Sequence, residues 1–566
     1  LPKASEDLVR SYTRLLDAFA YVRFDLGSMP SELRLGRQVV SWGESTFIQG
    51  GLNAINHFDV AALRVPGSEL REAFLPQEMA VFNVQLSDRW SGQLVYLLDW
   101  NDTRPEPSGS YFSTNDFAVP GGDRVVLGFG AFSDQGVDFR PLGGPLIEDF
   151  QNVRRLATRK PSDSGQFGVN LKVYLPDFIN GTELGFYFLN YHSRVPVISG
   201  RAGTTVGIGN SWGALTAVGA AAQGIVAGLP IEAAIATATA AGVQAAAAEG
   251  GNLDAELARQ YATIGANTLL AGGDVTTQAT NIAVHEYAKT AGYFTEFPED
   301  IQLFGVSFNT QLQATGIALQ GEISYRRDVP LQFDDVELLF AALAPFEQEI
   351  ARLRGTPLPP TCLPGAGATL TRCNQLGVFG VGDEIRGWSL HDTWQVQFTA
   401  TKTFANVLRA AQMVVVMEAA LSYIEDMPDK FTGGPNGRGL RFNGPGTSVS
   451  GNAELAGRHF GEVEPADRFP DSTSWGYRLA GRLEYPNFIG AWNLVPRFSW
   501  QHDVKGTSPG PGGNFIEDRY ALTLGVAANL LATWEVDVSW TTFGGAGRFN
   551  DLNDRDFIAA SIKYAF

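Results

Sequence analysis

Residues 475–485 read Trp-Gly-Tyr-Arg-Leu-Ala-Gly-Arg-Leu-Glu-Tyr (WGYRLAGRLEY). Every second residue from Trp475 to Tyr485 is apolar, aromatic or glycine, and the residues between include Arg478, Arg482 and Glu484. Alternation with period two marks a β-strand with one apolar and one polar face. Aromatic residues stand at both ends of the apolar face, where a membrane strand meets the two interfaces of a bilayer. A strand of a soluble β-sandwich also alternates, but it is usually about five or six residues long and seldom tipped by aromatics at both ends.

The same pattern recurs. Trp90, Gly92, Leu94, Tyr96, Leu98 and Trp100 oppose Ser91, Gln93, Val95, Leu97 and Asp99. Phe167, Val169, Leu171, Val173 and Leu175 oppose Gln166, Gly168, Asn170, Lys172 and Tyr174. Trp534, Val536, Val538 and Trp540 oppose Glu535, Asp537 and Ser539. Along the whole chain about fifteen such strands are predicted, starting near residues 17, 32, 77, 89, 165, 181, 301, 315, 392, 407, 473, 490, 516, 532 and 555. Short turns alternate with longer loops at roughly 43–76, 101–164, 193–300, 327–391, 424–472, 503–515 and 543–554. A bacterial barrel sorts its connections this way, with short periplasmic turns and long outer loops. The predicted fold is therefore all-β: a transmembrane antiparallel up-and-down β-barrel, a single domain over residues 1–566 of the bacterial outer membrane. Its expected surroundings are a lipid bilayer and lipopolysaccharide.

The last strand, Asp556–Phe566, places Ile558, Ala560, Ile562, Tyr564 and Phe566 on one face and ends on an aromatic. That ending resembles the insertion signal of outer-membrane barrels. Taken as periplasmic, it makes the strand near residue 17 run from outside to inside. An even strand number then predicts at least one strand upstream of Leu1, for about 16 or 18 in all, the alternative being that residues 1–16, with Leu8, Val9, Tyr12 and Leu15, or a long loop supplies the missing element.

Composition is compatible with this reading. The chain has 566 residues, 44% hydrophobic, with a mean hydropathy of -0.05. No run of about 18 uncharged apolar residues marks a spanning helix. Only every second residue of a barrel strand meets lipid, so a barrel keeps such a composition. The net charge of -18 and the absence of a basic stripe exclude a nucleic-acid partner as an expectation. LPKASEDLVR at the start carries no signal-peptide pattern.

Four motifs, LRLGRQVVSWGESTFIQGGLN (33–53), YFSTND (111–116), FPEDIQLFGVSFNT (297–310) and DDVELLFAAL (334–343), carry a resemblance that spans most of the chain. They resemble a proteobacterial family of uncharacterised outer-membrane β-barrel proteins, often encoded beside an MMPL-like RND exporter and a LolB-like lipoprotein. Leu33–Trp42 is also distantly similar to alginate-export barrels. The family resemblance implies extra N-terminal strands before the position of Leu1 and transport of hydrophobic or lipid-like compounds. It also implies an RND-type exporter and an outer-membrane lipoprotein as partners, and it supplies no ligand residues.

Candidate sites follow from the strand faces and loops. Loop 43–76 is apolar and poor in charge in its first half, so it is expected to fold into the lumen; Phe47, Ile48 and His57 are its ligand candidates, with Arg34 and Arg37 on the preceding strand. Arg478, Arg482, Glu484 and Arg497 form a basic set expected to face the lumen. Residues 204–290 are Ala-rich; Ala214–Ala248 and Leu253–Ala288 read as two helical stretches inserted in an outer loop, capping the barrel or contacting another copy in a homo-oligomer, with a lumenal plug as the alternative. Cys362 and Cys373 in loop 327–391 read as a local disulfide of an oxidising compartment. Asp551, Asp554 and Asp556 are calcium candidates, although the segment lacks the glycine and terminal glutamate of an EF-hand loop; no other cofactor is expected. The six histidines are dispersed and no Gly-x-Ser-x-Gly elbow occurs, so no enzyme is expected. The competing functional classes are a docking barrel closed by its own loops and a general porin.

Overall fold

The computed structural model describes residues 2–9, 13–64, 73–114, 116–127, 132–356, 374–432, 439–444, 465–531 and 533–565. One sheet of fifteen strands dominates it. The strands are β1 (Ala18–Leu26), β2 (Met29–Gln38), β3 (Gln77–Gln85), β4 (Trp90–Leu97), β5 (Phe167–Leu175), β6 (Thr182–Tyr191), β7 (Ile301–Leu312) and β8 (Ile317–Gln332). They continue as β9 (Trp388–Ala405), β10 (Gln412–Ile424), β11 (Thr473–Ile489), β12 (Trp492–Lys505), β13 (Tyr520–Leu530), β14 (Trp534–Gly544) and β15 (Phe557–Tyr564). Each pairs antiparallel with the next, so the wall is an up-and-down meander.

Alternation is physical. Leu94, Val169, Phe398, Leu524 and Val538 are exposed on the outer face, while Val95, Asn170, Gln397 and Glu418 are buried on the inner one. Aromatic pairs cross neighbouring strands near both ends of the belt, including Trp500–Tyr520 with centroids 5.3 Å apart and Trp534–Tyr564 at 4.7 Å. Among the described residues, β1 and β15 are not hydrogen-bonded to each other. The loop after β4 contacts the β15 end, where Arg555 Nη1 donates to Tyr111 O (2.6 Å) beside an edge contact of Phe112 with Phe557, and it also meets the N-terminal helix Lys3–Val9, where Ser5 Oγ donates to Pro120 O (3.3 Å). The expected count of 16 or 18 concerned chain upstream of Leu1; the described sheet holds fifteen. The cysteine pair Cys362 and Cys373, and Phe566, lie outside the described residues.

Above the wall sits a cap. Five short strands order as 384–385, 197–201, 292–296, 152–155 and 124–126. With them go α1 (Thr205–Val226), α2 (Ile231–Ala248), α3 (Ala255–Leu270), α4 (Val275–Ala288) and α5 (Asp335–Leu353), of which α4 and α5 pack against the short strands and α1–α3 against their fellow helices. The Ala-rich stretch therefore forms four helices, not the two expected. Gly228 and Gly272, at φ +87° and +74°, let the chain turn in the left-handed region, and Pro230 and the Asp274 side chain start the next helices. Small residues let α1 and α2 approach: a Cβ on Gly213 would meet Gly242 O at 2.6 Å. The four-helix core is completed by Phe139, Phe150 and Phe346 from the cap itself.

Candidate functional site: a loop latched inside the barrel

The segment from Val40 to Asn56 folds inward, and the wall holds it in two ways. On one side the contact is apolar. Val40, Trp42, Leu52 and Ile55 pack against inward residues of β3, β4, β6 and β7: Met79, Val81, Val95, Leu97, Leu189 and Leu303. On the other side the contact is polar and built from two carboxylates. Glu418 of β10 accepts the backbone N–H groups of Thr46 (2.8 Å), Phe47 (2.6 Å) and Ile48 (2.8 Å), together with Thr399 Oγ1 (3.2 Å). Glu322 of β8 accepts Leu52 N–H (2.8 Å), Glu44 N–H (2.5 Å) and Gln397 Nε2 (2.9 Å). Both carboxylates are almost wholly buried. A buried carboxylate is tolerated only when its lone pairs are filled, and here the loop backbone fills them.

Glutamines and one arginine complete the latch. Gln395 Nε2 donates to Gln49 O (2.8 Å), and Gln320 Nε2 to Glu44 O (2.7 Å). Arg326 donates to the carbonyls of Gly50 and Gly51 and to Tyr191 Oη. Glycine is required at two places. A Cβ on Gly43, which has φ +84°, or on Gly51 would overlap the Glu322 carboxylate. Burial raises the Glu44 carboxyl above its ordinary value.

The predicted site residues divide. Phe47 and Ile48 lie in the latched loop; Ile48 is buried against Ala420 and Phe515, while Phe47 is exposed. His57 is buried beyond the loop's apolar side, with its Nδ1 unpartnered. Arg34 lies over the Phe19 ring and pairs with Glu32, and Arg37 stands opposite Ala18 and Glu78 with a buried, unpartnered Nε.

In the expected set of Arg478, Arg482, Glu484 and Arg497, each arginine has an acid partner. Arg478 pairs with the buried Asp503 (2.8 Å), Arg482 with Glu484 (3.2 Å), and Arg497 with Asp537 (Nη2–Oδ1 2.7 Å). Arg478 reaches Asp503 on the neighbouring strand, Arg482 and Glu484 lie two apart on one strand, and Arg497 reaches across β13 to Asp537 on β14.

The calcium candidates also separate. Burial pushes the Asp551 carboxyl up to about 6. Asp554 lies against Arg555 (3.0 Å). Asp556 accepts Thr542 Oγ1 (2.7 Å) and Phe543 N–H (2.9 Å). Among the described residues no three acidic, histidine or cysteine side chains are grouped to hold a metal ion. Glu418, Gln395 and Gln397 are the site residues that strand patterning did not single out.

Wall, latch and cap define a membrane-type antiparallel β-barrel wall with one of its own loops held against the inner face and a helical cap joined to its strand ends. The chain belongs to the family described as "Protein of unknown function (DUF1302)", whose profile matches residues 2–566. No curated protein matches it. Among solved structures it is similar to OccAB4 of Acinetobacter baumannii, at 8% identity over 94% of this chain and 69% of that one, with a TM-score of 0.26. It is also similar to the ferric enterobactin receptor PfeA of Pseudomonas aeruginosa, at 9% identity over 82% and 41%, TM-score 0.27. A FadL homologue of Pseudomonas aeruginosa gives 8% identity over 91% and 80%, TM-score 0.24. Superpositions this loose leave the function to be read from the chain's own residues.

Proposed function

We propose that the protein is a channel of the bacterial outer membrane for hydrophobic or amphipathic compounds, with the Val40–Asn56 loop as its internal gate. The observation that carries this reading is the apolar inner wall under the loop, from Met79 and Val81 to Leu189 and Leu303. A water-filled pore is lined by polar groups. Here the surface uncovered when the loop moves is one that an apolar compound would wet. The supporting partners are an RND-type exporter and an outer-membrane lipoprotein, following the family resemblance of the sequence. A docking barrel that never opens is the second reading, favoured by the completeness of the Glu322 and Glu418 hydrogen bonds.

Reconstitution separates them. In proteoliposomes the channel reading expects small ion conductance together with passage of an apolar fluorescent compound. Steady porin-like conductance without that passage counts for a general porin. A barrel silent to both counts for docking.

A further inference from the structure

At the outer ends of β3, β4 and β6, beyond the apolar side of the latched loop, three stretches of backbone meet. Arg104 N–H donates to Phe58 O (2.7 Å), Phe58 N–H to Thr103 Oγ1 (3.4 Å) and Thr103 N–H to Arg194 O (2.8 Å). The ladder gathers His57, Arg104 and Arg194 from three separate loops. Arg194 is 6% exposed and His57 3%. The Arg194 guanidinium spends Nε on Ala54 O (3.3 Å) and Nη1 on Asn101 O (3.0 Å), both neutral acceptors. Among the described residues its Nη2 is buried with no partner, as are His57 Nδ1 and Arg37 Nε.

The charges around these atoms do not balance. Burial first, then Arg194, Arg104, Arg37 and Arg14, hold the His57 imidazole down to about 3, so it is neutral. The acids that face the group are already engaged. Asp59 accepts from Arg14 (2.7 Å) and from Ala62 N–H (3.1 Å), and Asp99 from Glu78 N–H (3.1 Å) and Asn101 Nδ2 (2.7 Å). Glu78 stands opposite Arg37 on the neighbouring strand, and among the described residues no carboxylate accepts from the Arg194 guanidinium. A buried arginine with a spare donor and no anion of its own is a costly arrangement unless an anion arrives.

We propose that Arg194, His57 and Arg37 form a receptor for one carboxylate, carried as the head group of an amphipathic compound. Arg194 Nη2 and Arg37 Nε donate to the oxyanion, and His57 donates from Nδ1. Ile55, two residues before His57, belongs to the apolar core that the loop makes with the wall, so a tail attached to that carboxylate has an apolar path beside it. The tail's path rests on the channel reading above; the anion receptor does not.

The test uses the full chain in detergent and three probes: dodecanoate, the alcohol of the same chain length, and acetate. Binding is followed by the fluorescence of Trp100, whose Nε1 donates to Ser193 O beside the site. Dodecanoate is expected to bind about tenfold or more tightly than the alcohol. Arg194→Gln and His57→Phe should shrink that preference to about threefold or less. Arg37→Gln, at a half-buried position, should lower it with the fold intact by circular dichroism. Equal affinity for acid and alcohol, or a preference that survives all three substitutions, overturns the proposal. Acetate that displaces dodecanoate down to the affinity of the alcohol supports the receptor and assigns it to free anions. If the preference stands while no apolar compound crosses proteoliposomes, the channel reading falls and the receptor remains.

Discussion

In the wall, Leu94, Phe398 and Val538 point outward and are about half exposed; in the cap, Tyr261, Ile264 and Tyr287 are completely covered. Both regions are rich in apolar residues, yet they arrange them with opposite polarity. The wall turns its large side chains toward its surroundings and keeps Gln397, Glu418 and Arg478 inside. The cap does what a water-soluble domain does. The surroundings of the wall must therefore be lipid, and those of the cap water. The loop from Val40 to Asn56 belongs to neither regime, because it meets an apolar wall on one side and two buried carboxylates on the other.

That third environment offers the largest effect. Glu418→Ala leaves the N–H groups of Thr46, Phe47 and Ile48 without an acceptor inside the barrel. Hydrogen bonds to a charged group contribute roughly 1.5–3 kcal/mol each and are not fully additive, so a loss of about 5 kcal/mol of loop stability is expected. Bilayer recordings should show larger or more frequent openings. Glu418→Gln, which keeps one acceptor, should fall between. Unchanged conductance and unchanged unfolding would show that the apolar side alone holds the loop.

The contrast between wall and cap is tested by placing the same charge on each. Val538→Lys puts an ammonium on the lipid face at mid-strand, where the cost is about 2–4 kcal/mol. Ala236→Lys on the exposed side of α2 should change stability by no more than about 0.5 kcal/mol, as ordinary surface substitutions do. Urea titrations in lipid vesicles read the first, and protease sensitivity of the cap reads the second. Equal costs at the two positions would remove the basis for assigning different solvents.

Much of the wall was legible in the sequence because lipid enforces the alternation on one face of every strand. At Trp90–Leu98 the exposed Trp90, Leu94, Tyr96 and Leu98 and the buried Val95 and Leu97 match the assigned faces, but Trp100, expected on the outer face, is buried and donates to Ser193 O. The ends of β8 and β9 were not legible, since Val329–Gln332 and Trp388–His391 extend the wall beyond the predicted strand ends toward the cap, where no lipid imposes a pattern. In the Ala-rich stretch the breaks were signalled by Gly228, Pro230 and Gly272, yet a continuous run of alanine masks short turns. The latch was half visible. An apolar loop with few charges suggested an inward fold, but Glu418 binds backbone N–H groups, which every residue but proline offers, so no sequence pattern names its partners. Arg194 was hidden for the same reason, with carbonyl oxygens as its partners.

The smallest effects sharpen the comparison through pH. In the cap, the buried His285 ring stacks on Phe150, and its Nδ1 accepts the Gln151 N–H (3.0 Å), which requires the neutral form. Burial holds its pKa at about 4, against an ordinary 6.5. Between those values the unfolded chain binds the proton and the folded cap does not, so stability rises with pH. The contribution is complete above about 6.5 and is lost as pH falls toward 4, amounting to at most about 3 kcal/mol. Asp551, in the loop between β14 and β15, has the opposite sign. Its folded pKa of about 6 lies above the ordinary 3.8, so the folded state binds the proton more readily there. The stability it lends is present below about 3.8 and is lost as pH rises through 6. Acidification from pH 6.5 to 4 should therefore loosen the cap while it tightens the β14–β15 loop, as amide hydrogen exchange can resolve region by region. His285→Gln should flatten the first slope and leave the second, and Asp551→Asn should do the reverse. A common slope in both regions would mean that cap and wall unfold as one unit, and the two would then differ in surroundings but not in cooperativity.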